Sequence, residues 1–249
     1  VPDAIFDHPR LAAVYDPLDP DRSDLDEYLR IVTDELDARR VLDIGCGTGT
    51  FALLLAGRGV EAVGLDPAAA SVAVARAKLG AEKVTWLVGT VDALPELQVD
   101  VVTMTANVAQ VFLGDDEWLA TLAAARRALR PGGTLVFEAR RPEVRAWEGW
   151  TKEASRQVVT VPGVGDVEDW VQVTAVDGEL VTFDSPTIFH ADGERIDSTS
   201  TLRFRTRAAV EDSLRAAGFD PVEVRDLAYA PGRSWLYLAH RPAVPTTDR

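Results

Sequence analysis

Val41-Leu42-Asp43-Ile44-Gly45-Cys46-Gly47-Thr48-Gly49 decides the fold. An apolar run ends in an acid and three alternating glycines, after which Phe51-Ala52-Leu53-Leu54-Leu55-Ala56-Gly57-Arg58-Gly59 reads as a helix with a glycine stop. That is a strand, a tight turn and a helix N-terminus. Gly45 and Gly47 let the backbone pass close to a ligand, and Gly49 allows a tight entry into the helix. The dinucleotide fingerprint is excluded. It needs a third Gly or Ala where this chain has Thr50, and it places no acid inside the loop. Asp43 would repel a pyrophosphate, whereas a cationic ammonium or sulfonium would be welcome.

Working outward, strand and helix patterns alternate from about Val41 to Ala139. Arg40–Ile44, Glu61–Leu65, Val84–Val88, Val99–Thr105 and Thr134–Glu138 read as strands. Pro67–Lys78 reads as a helix with proline in its first turn. Asp115–Arg130 reads as another, capped by Asp115 or Asp116 and stopped by Pro131-Gly132-Gly133, with Trp118, Leu122, Ala125 and Leu129 on one face. Apolar strands alternating with helices predict a parallel sheet covered on both sides. After Arg141 the texture changes. Gln157–Pro162, Asp169–Val176, Leu180–Phe183, Thr187–Phe189 and Arg195–Arg205 read as antiparallel strands, with Asp177-Gly178 and Asp192-Gly193 as hairpin turns. In the last run Ile196, Ser198, Ser200, Leu202 and Phe204 share one face. Thr206–Gly218 is a helix, Val222–Leu227 and Trp235–His240 are closing strands, and the tail beyond Pro242 reads as frayed.

The chain has 249 residues, 47% of them hydrophobic, enough for a large core. One cysteine, Cys46, excludes an internal disulfide and a cysteine-rich zinc site, and no metal site is expected. Forty acids against 26 bases give a net charge of −14, which argues against nucleic acid and anionic membranes as partners. The amino-terminal stretch has no basic start followed by an apolar core, and no apolar run is long enough to span a bilayer. A soluble cytoplasmic protein is expected. The first 40 residues carry eleven acids and five bases. They read as a solvated helical segment, Ser23–Leu36, packing Leu25, Leu29 and Val32 inward, or as a lid over a ligand.

The glycine loop and two further motifs resemble the class I S-adenosylmethionine-dependent methyltransferases. The first motif is Asp43 to Gly49. The second, an acid ending the next strand, is Val63-Gly64-Leu65-Asp66-Pro67. The third is Leu129-Arg130-Pro131-Gly132-Gly133 ahead of the fifth strand. The resemblance covers roughly Ala13 to Glu138 and implies a Rossmann-like α/β sandwich. Its mostly parallel seven-stranded sheet would be ordered 3-2-1-4-5-7-6, with strand seven antiparallel.

It also implies S-adenosyl-L-methionine as cofactor, S-adenosyl-L-homocysteine as product, and roles for particular residues. Asp43 would sit near the methionine ammonium, and the backbone of Gly45, Cys46, Gly47 and Gly49 would pass beside the cofactor. Asp66, followed by Pro67, would accept from both ribose hydroxyls, and it could cap the following helix as well. Where relatives often carry glycine–aspartate after strand three, this chain has Val88-Gly89-Thr90-Val91-Asp92. The adenine would then rest on the backbone of Thr90 and Val91, with Asp92 as a substitute acid. Thr105, Asn107 and Gln110 follow strand four, at the edge where open α/β sheets bind ligands, though ordinary loop capping suits Asn107 and Gln110 equally well. Tyr15 resembles the aromatic that closes over the cofactor. Asn107, Gln110 and Tyr15 are also the catalytic candidates.

Arg140, Trp147 and Trp150 are substrate candidates, since arginine with aromatics can hold a carboxylated or planar molecule. They could equally be the join to the second layer. His190, two residues before a hairpin turn, reads as an exposed hairpin position rather than a catalytic base, and His240, ending the last strand, reads as structural. The division expected is 1–142 with 206–249 as the cofactor domain, and 143–205 as an antiparallel β insertion that roofs the substrate site or makes a homodimer contact. The resemblance implies methyl transfer to nitrogen or oxygen of a small molecule. A protein methyltransferase and a non-catalytic or dehydrogenase-like cofactor binder are the alternatives.

Overall fold

In the computed structural model, which describes residues 1–243, the parallel half forms as the alternating pattern predicts. Three helices open the chain: α1 (Ala4–Asp7), α2 (Pro9–Leu18) and α3 (Asp24–Arg30), the last running into a π-helical turn, Ile31–Glu35. Then come β1 (Arg40–Ile44), α4 (Thr50–Gly57), β2 (Glu61–Asp66), α5 (Ala69–Ala77), β3 (Val84–Val88), β4 (Val99–Met104), α6 (Asp115–Ala128) and β5 (Leu129–Arg140). The second half holds α7 (Lys152–Ser155), β6 (Gln157–Val161), β7 (Gly165–Asp169), β8 (Gln172–Asp177), β9 (Leu180–Asp184), β10 (Thr187–Phe189), β11 (Glu194–Ile196) and β12 (Thr199–Arg203). Helix α8 (Arg207–Ala216) and strands β13 (Val222–Asp226) and β14 (Ser234–His240) complete it.

The main sheet has seven strands in the order β13-β14-β5-β4-β1-β2-β3. Strands β1 to β5 pair in parallel, and β14 runs antiparallel to both β5 and β13. This is the predicted 3-2-1-4-5-7-6 arrangement. Both faces are covered, which is why the central strands read as unbroken apolar runs. Leu42, Val102, Leu135 and Phe137 pack toward α6 and α8, while Val41, Val101, Val136 and Leu238 pack toward α3 and α4. Leu25, Leu29 and Val32 point inward as expected. Trp118 is buried against Phe137 and donates its indole N–H to Ser213 Oγ at 2.9 Å, and burying a side chain of this size stabilises by roughly 2–3 kcal/mol. Helix α6 is capped differently from the expectation: Gly114 is the N-cap, and Asp115 and Asp116 lie in the first turn, where carboxylates favour the positive end of the helix.

The insertion departs from a single antiparallel layer. It forms two sheets, β11-β10-β7-β6 and β12-β9-β8. Two predicted strands are each broken. Asp169–Val176 splits between β7 and β8 at Trp170-Val171, and Arg195–Arg205 splits between β11 and β12 at Asp197-Ser198. The expected shared face from Ile196 to Phe204 is therefore divided between two sheets. The cause is tertiary. Ser198 is buried and accepts the Ile5 backbone N–H at 2.9 Å, so contact with the amino-terminal helices turns the chain where its alternation would have carried it on. Those helices also share a core with the first of the two sheets, through Leu11, Val14, Val161, Val167 and Phe189. The expectation of a frayed tail falls, beyond Ala243, outside the described residues.

Candidate active site

A cavity of about 730 Å³ opens at the carboxyl ends of β1 to β4. The glycine loop forms its floor. Gly47 has φ +52°, and a Cβ placed there would meet no atom within 4 Å, so the missing side chain leaves room for a ligand against the backbone. Gly49 serves another purpose: its Cβ would stand 2.3 Å from the Trp86 ring, so it is glycine for helix packing and does not line the cavity. Asp66 ends β2 and holds the loop in place. Its Oδ2 accepts the Gly47 N–H and its Oδ1 accepts the Ala68 N–H, both at 2.8 Å. It braces the turn before α5 without capping the helix, whose N-cap Ala68 receives no side-chain bond, and each oxygen keeps a further acceptor direction on a residue that lines the cavity. Burial raises its pKa, and the two backbone donors act against that rise.

Asp43 lies beneath the loop, 1% exposed, off the cavity lining itself. Its Oδ1 accepts the Thr103 hydroxyl at 2.8 Å, while Oδ2 has no partner among the described residues. Burial pushes its carboxyl up to about 7, with the nearby Asp66 and Glu138 adding to the rise. A buried oxygen without a donor asks for one, and a cationic group at the loop would supply it.

Of the other predicted residues, Tyr15, Gly45, Cys46, Pro67, Thr90, Val91, Asp92 and Thr105 line the cavity. The Thr90 hydroxyl makes no capping bond to the 3-10 turn Val91–Ala93 that it precedes. Asn107 and Gln110 do not line the cavity. Gln110 is 1% exposed and accepts from Arg140 at 3.1 Å. The structure brings Arg140 over Trp150, with Trp147 and Trp150 against Phe204, in the packing of the insertion and away from the cavity lining. His190 is half exposed beside Glu168, and His240 pairs with the Thr134 hydroxyl at 3.0 Å.

Several contributors went unread in the sequence. Arg22 and Phe6 line the cavity from the amino-terminal segment. Asp16 on α2 accepts the Thr48 hydroxyl at 2.6 Å and pairs with Lys78 at 2.6 Å, tying that segment to the glycine loop. Thr199 and Thr201 reach the cavity from the insertion. Glu138, wholly buried on β5, accepts from the Tyr28 hydroxyl and from the Asn107 backbone N–H. Asn107 (φ 64°) and Ala106 (φ 56°) are both left-handed, and the Glu138 bond holds that turn. Burial raises the pKa of both Glu138 and Tyr28. The sequence offers Glu138 as a weak candidate, an acid closing the apolar fifth strand, and gives no sign of its partners.

A glycine loop entering a helix, an acid ending β2 and a cavity at the strand ends define a Rossmann-like ligand-binding domain. Residues 41–133 match the family model described as a methyltransferase domain. With its glycine loop and acids in that order, the matched stretch is similar to the class I S-adenosylmethionine-dependent methyltransferases. Among curated proteins, the chain is 32% identical over 120 residues to a ubiquinone biosynthesis O-methyltransferase of Idiomarina loihiensis, covering 46% of this chain and 48% of that one. The chain thus spans about half the length of the curated relatives it matches. Among solved structures it is similar to SAM-bound CalS10, an amino pentose methyltransferase from Micromonospora echinaspora, with TM-score 0.69, 27% identity, and coverage of 89% of this chain and 93% of that one. Streptomyces venezuelae DesVI shares the fold at TM-score 0.74 and 22% identity, over 93% and 98% of the two chains. Among the described residues, no helix is long and apolar enough to cross a membrane.

Proposed function

We propose that this protein binds S-adenosylmethionine across the carboxyl ends of β1 to β4 and transfers its methyl group to a nitrogen or oxygen of a small molecule. One observation carries the reading: a glycine cradle flanked by the cavity-lining Asp66, with a further acceptor direction on each oxygen, and by Asp43, with a buried oxygen lacking a donor. The residues fit the cofactor. Asp66 would take the ribose hydroxyls, the Asp43 side of the loop would receive the ammonium, and Arg22 would face the methionine carboxylate. Thr90, Val91 and Asp92 would border the adenine, and Tyr15 and Phe6 would cover the ligand.

When bound, S-adenosylmethionine supplies a sulfonium methyl that a nitrogen or oxygen lone pair can displace. The chain's own contribution is alignment and exclusion of water. Asp16 and Thr48 draw α2 onto the glycine loop, and Glu138 fixes the turn after β4 whose Ala106 borders the cavity. Residues 143–205 act as the roof of the site, a role supported by Thr199 and Thr201 on the cavity wall and by Ser198 joined to Ile5. A cavity closed by helices and an insertion suits a small acceptor, and the named substrate of the amino pentose methyltransferase supports nitrogen.

Calorimetry with S-adenosylhomocysteine, and separately with NAD, tests the reading. Binding of the first alone is expected. A folded sample that binds NAD and ignores S-adenosylhomocysteine refutes it.

A further inference from the structure

A second, smaller cavity of about 160 Å³ lies between α2 and the first sheet of the insertion. Its helix side is apolar: Leu11, Val14 and Leu18 project from successive turns of α2. Its sheet side is polar. Gln157, Asp169 and Thr187 stand abreast on the hydrogen-bonded strands β6, β7 and β10, with Asp169 the register partner of both others. Thr187 and Ser185 are more than nine-tenths buried.

A polar row facing an apolar helix is the reverse of what folding alone selects. Each buried polar group costs free energy unless it is partnered. Asp169 is not fully partnered: its Oδ1 is shielded from solvent and bonded to nothing among the described residues. Burial raises the pKa of this carboxyl, and a hydrogen bond from the Gln157 side chain acts against that rise. Oδ1 therefore lacks a donor, and the missing donor is one a ligand can bring. Tyr15 lines this cavity and the cofactor cavity alike, so an occupant of the smaller one would stand one side chain from the larger.

We propose that the smaller cavity is the chamber for the methyl acceptor. Asp169 would anchor a hydrogen-bond-donating amine there, with the Thr187 and Ser185 hydroxyls receiving neighbouring hydroxyl groups of the same molecule. This rests on the methyltransferase reading and deepens it by naming the acceptor class, a small amine that also bears hydroxyls. The apolar face of α2 would take the carbon side of such a ring, and Asp19 at the mouth adds a second negative charge favouring an amine.

The test uses the full chain and D-glucosamine as probe, with binding followed by thermal unfolding and calorimetry, with and without S-adenosylhomocysteine. The wild type is expected to bind the probe saturably. Asp169→Asn and, independently, Thr187→Val should weaken the probe by about tenfold or more for Asp169 and severalfold for Thr187, leaving S-adenosylhomocysteine affinity within twofold. Replacing Asp169 by Leu should leave the melting temperature unchanged or raise it, because a partly buried carboxylate with one oxygen unpartnered is removed; a residue kept for structure would lower it. Probe binding that is absent in the wild type, or equal in wild type and both variants, overturns the chamber. If S-adenosylhomocysteine binds and the probe does not, the chamber fails while the methyltransferase reading stands. The converse outcome keeps the chamber and removes that reading.

Discussion

Asp66→Ala removes the one side chain that both braces the glycine loop and faces the proposed ribose position. In the unliganded protein its two oxygens accept the Gly47 and Ala68 N–H groups at 2.8 Å. With cofactor bound they would also receive ribose hydroxyls. A hydrogen bond to a charged acceptor contributes roughly 1.5–3 kcal/mol, so losing the ligand-facing set should weaken binding by about tenfold to 150-fold. The loop bonds give a separate effect. Two backbone donors left unpaired should lower stability by about 2–4 kcal/mol, less whatever is regained by removing a buried carboxylate. Calorimetry with S-adenosylhomocysteine measures the first quantity and urea unfolding the second. Asp66→Asn separates them, since its amide oxygen can keep one loop bond while the charge is gone. A folded Asp66→Ala protein whose affinity changes by less than threefold would refute the reasoning and place the ribose elsewhere.

Gly47→Ala and Gly49→Ala should part company. The first should cost about 1–2 kcal/mol for its positive φ but block the cradle and abolish tight binding, whereas the second, driven into Trp86, should destabilise by more than that; urea unfolding and calorimetry on both give the comparison. Asp43 sets a pH dependence. Its folded pKa, raised to about 7, means that the folded state holds a proton the unfolded state has lost, so this group's effect is to lower stability as pH rises from about 4 through 7. Asp43→Asn should remove on the order of 2–4 kcal/mol of that decline, and an equal fall in unfolding free energy between pH 5 and 8 for wild type and variant would contradict it. Thr90→Asp should leave S-adenosylhomocysteine affinity unchanged or improved by adding an acceptor at the adenine edge, and a large loss in a folded variant would mean that Thr90 is already engaged. Glu138→Leu should destabilise by about 2–5 kcal/mol by stranding the Tyr28 hydroxyl and the Asn107 N–H, whereas Glu138→Gln can serve both and should cost about 1 kcal/mol or less; equal losses in unfolding experiments would count against the assigned bonds.

By itself the sequence determined the parallel half, because that half is governed by local rules. Period, glycine placement and strand-end acids are all written within windows of ten to twenty residues, and Asp43 to Gly49 and Asp66 follow from them, whereas the strand order came only through the family resemblance those motifs carry. The face that α6 buries was legible for the same reason: Trp118, Leu122 and Ala125 recur at helical spacing. What only the tertiary structure decided lies where residues distant in sequence meet. Ser198 ends a strand because Ile5 arrives on it, and the insertion becomes two sheets instead of one. Glu138 engages Tyr28, 110 positions away, and Asp16 engages Thr48 across 32. Periodicity has nothing to say about such pairs, since each is specified by the approach of two elements whose separation along the chain carries no pattern. The candidate substrate residues Arg140, Trp147 and Trp150 show the same limit from the other side. An arginine followed by two tryptophans has the composition of a binding site, and only the arrival of Phe204 and Gln110 turned those side chains into packing. Asp169 is the opposite case, an ordinary-looking acid in a short strand that the packing of α2 encloses without giving its Oδ1 a partner.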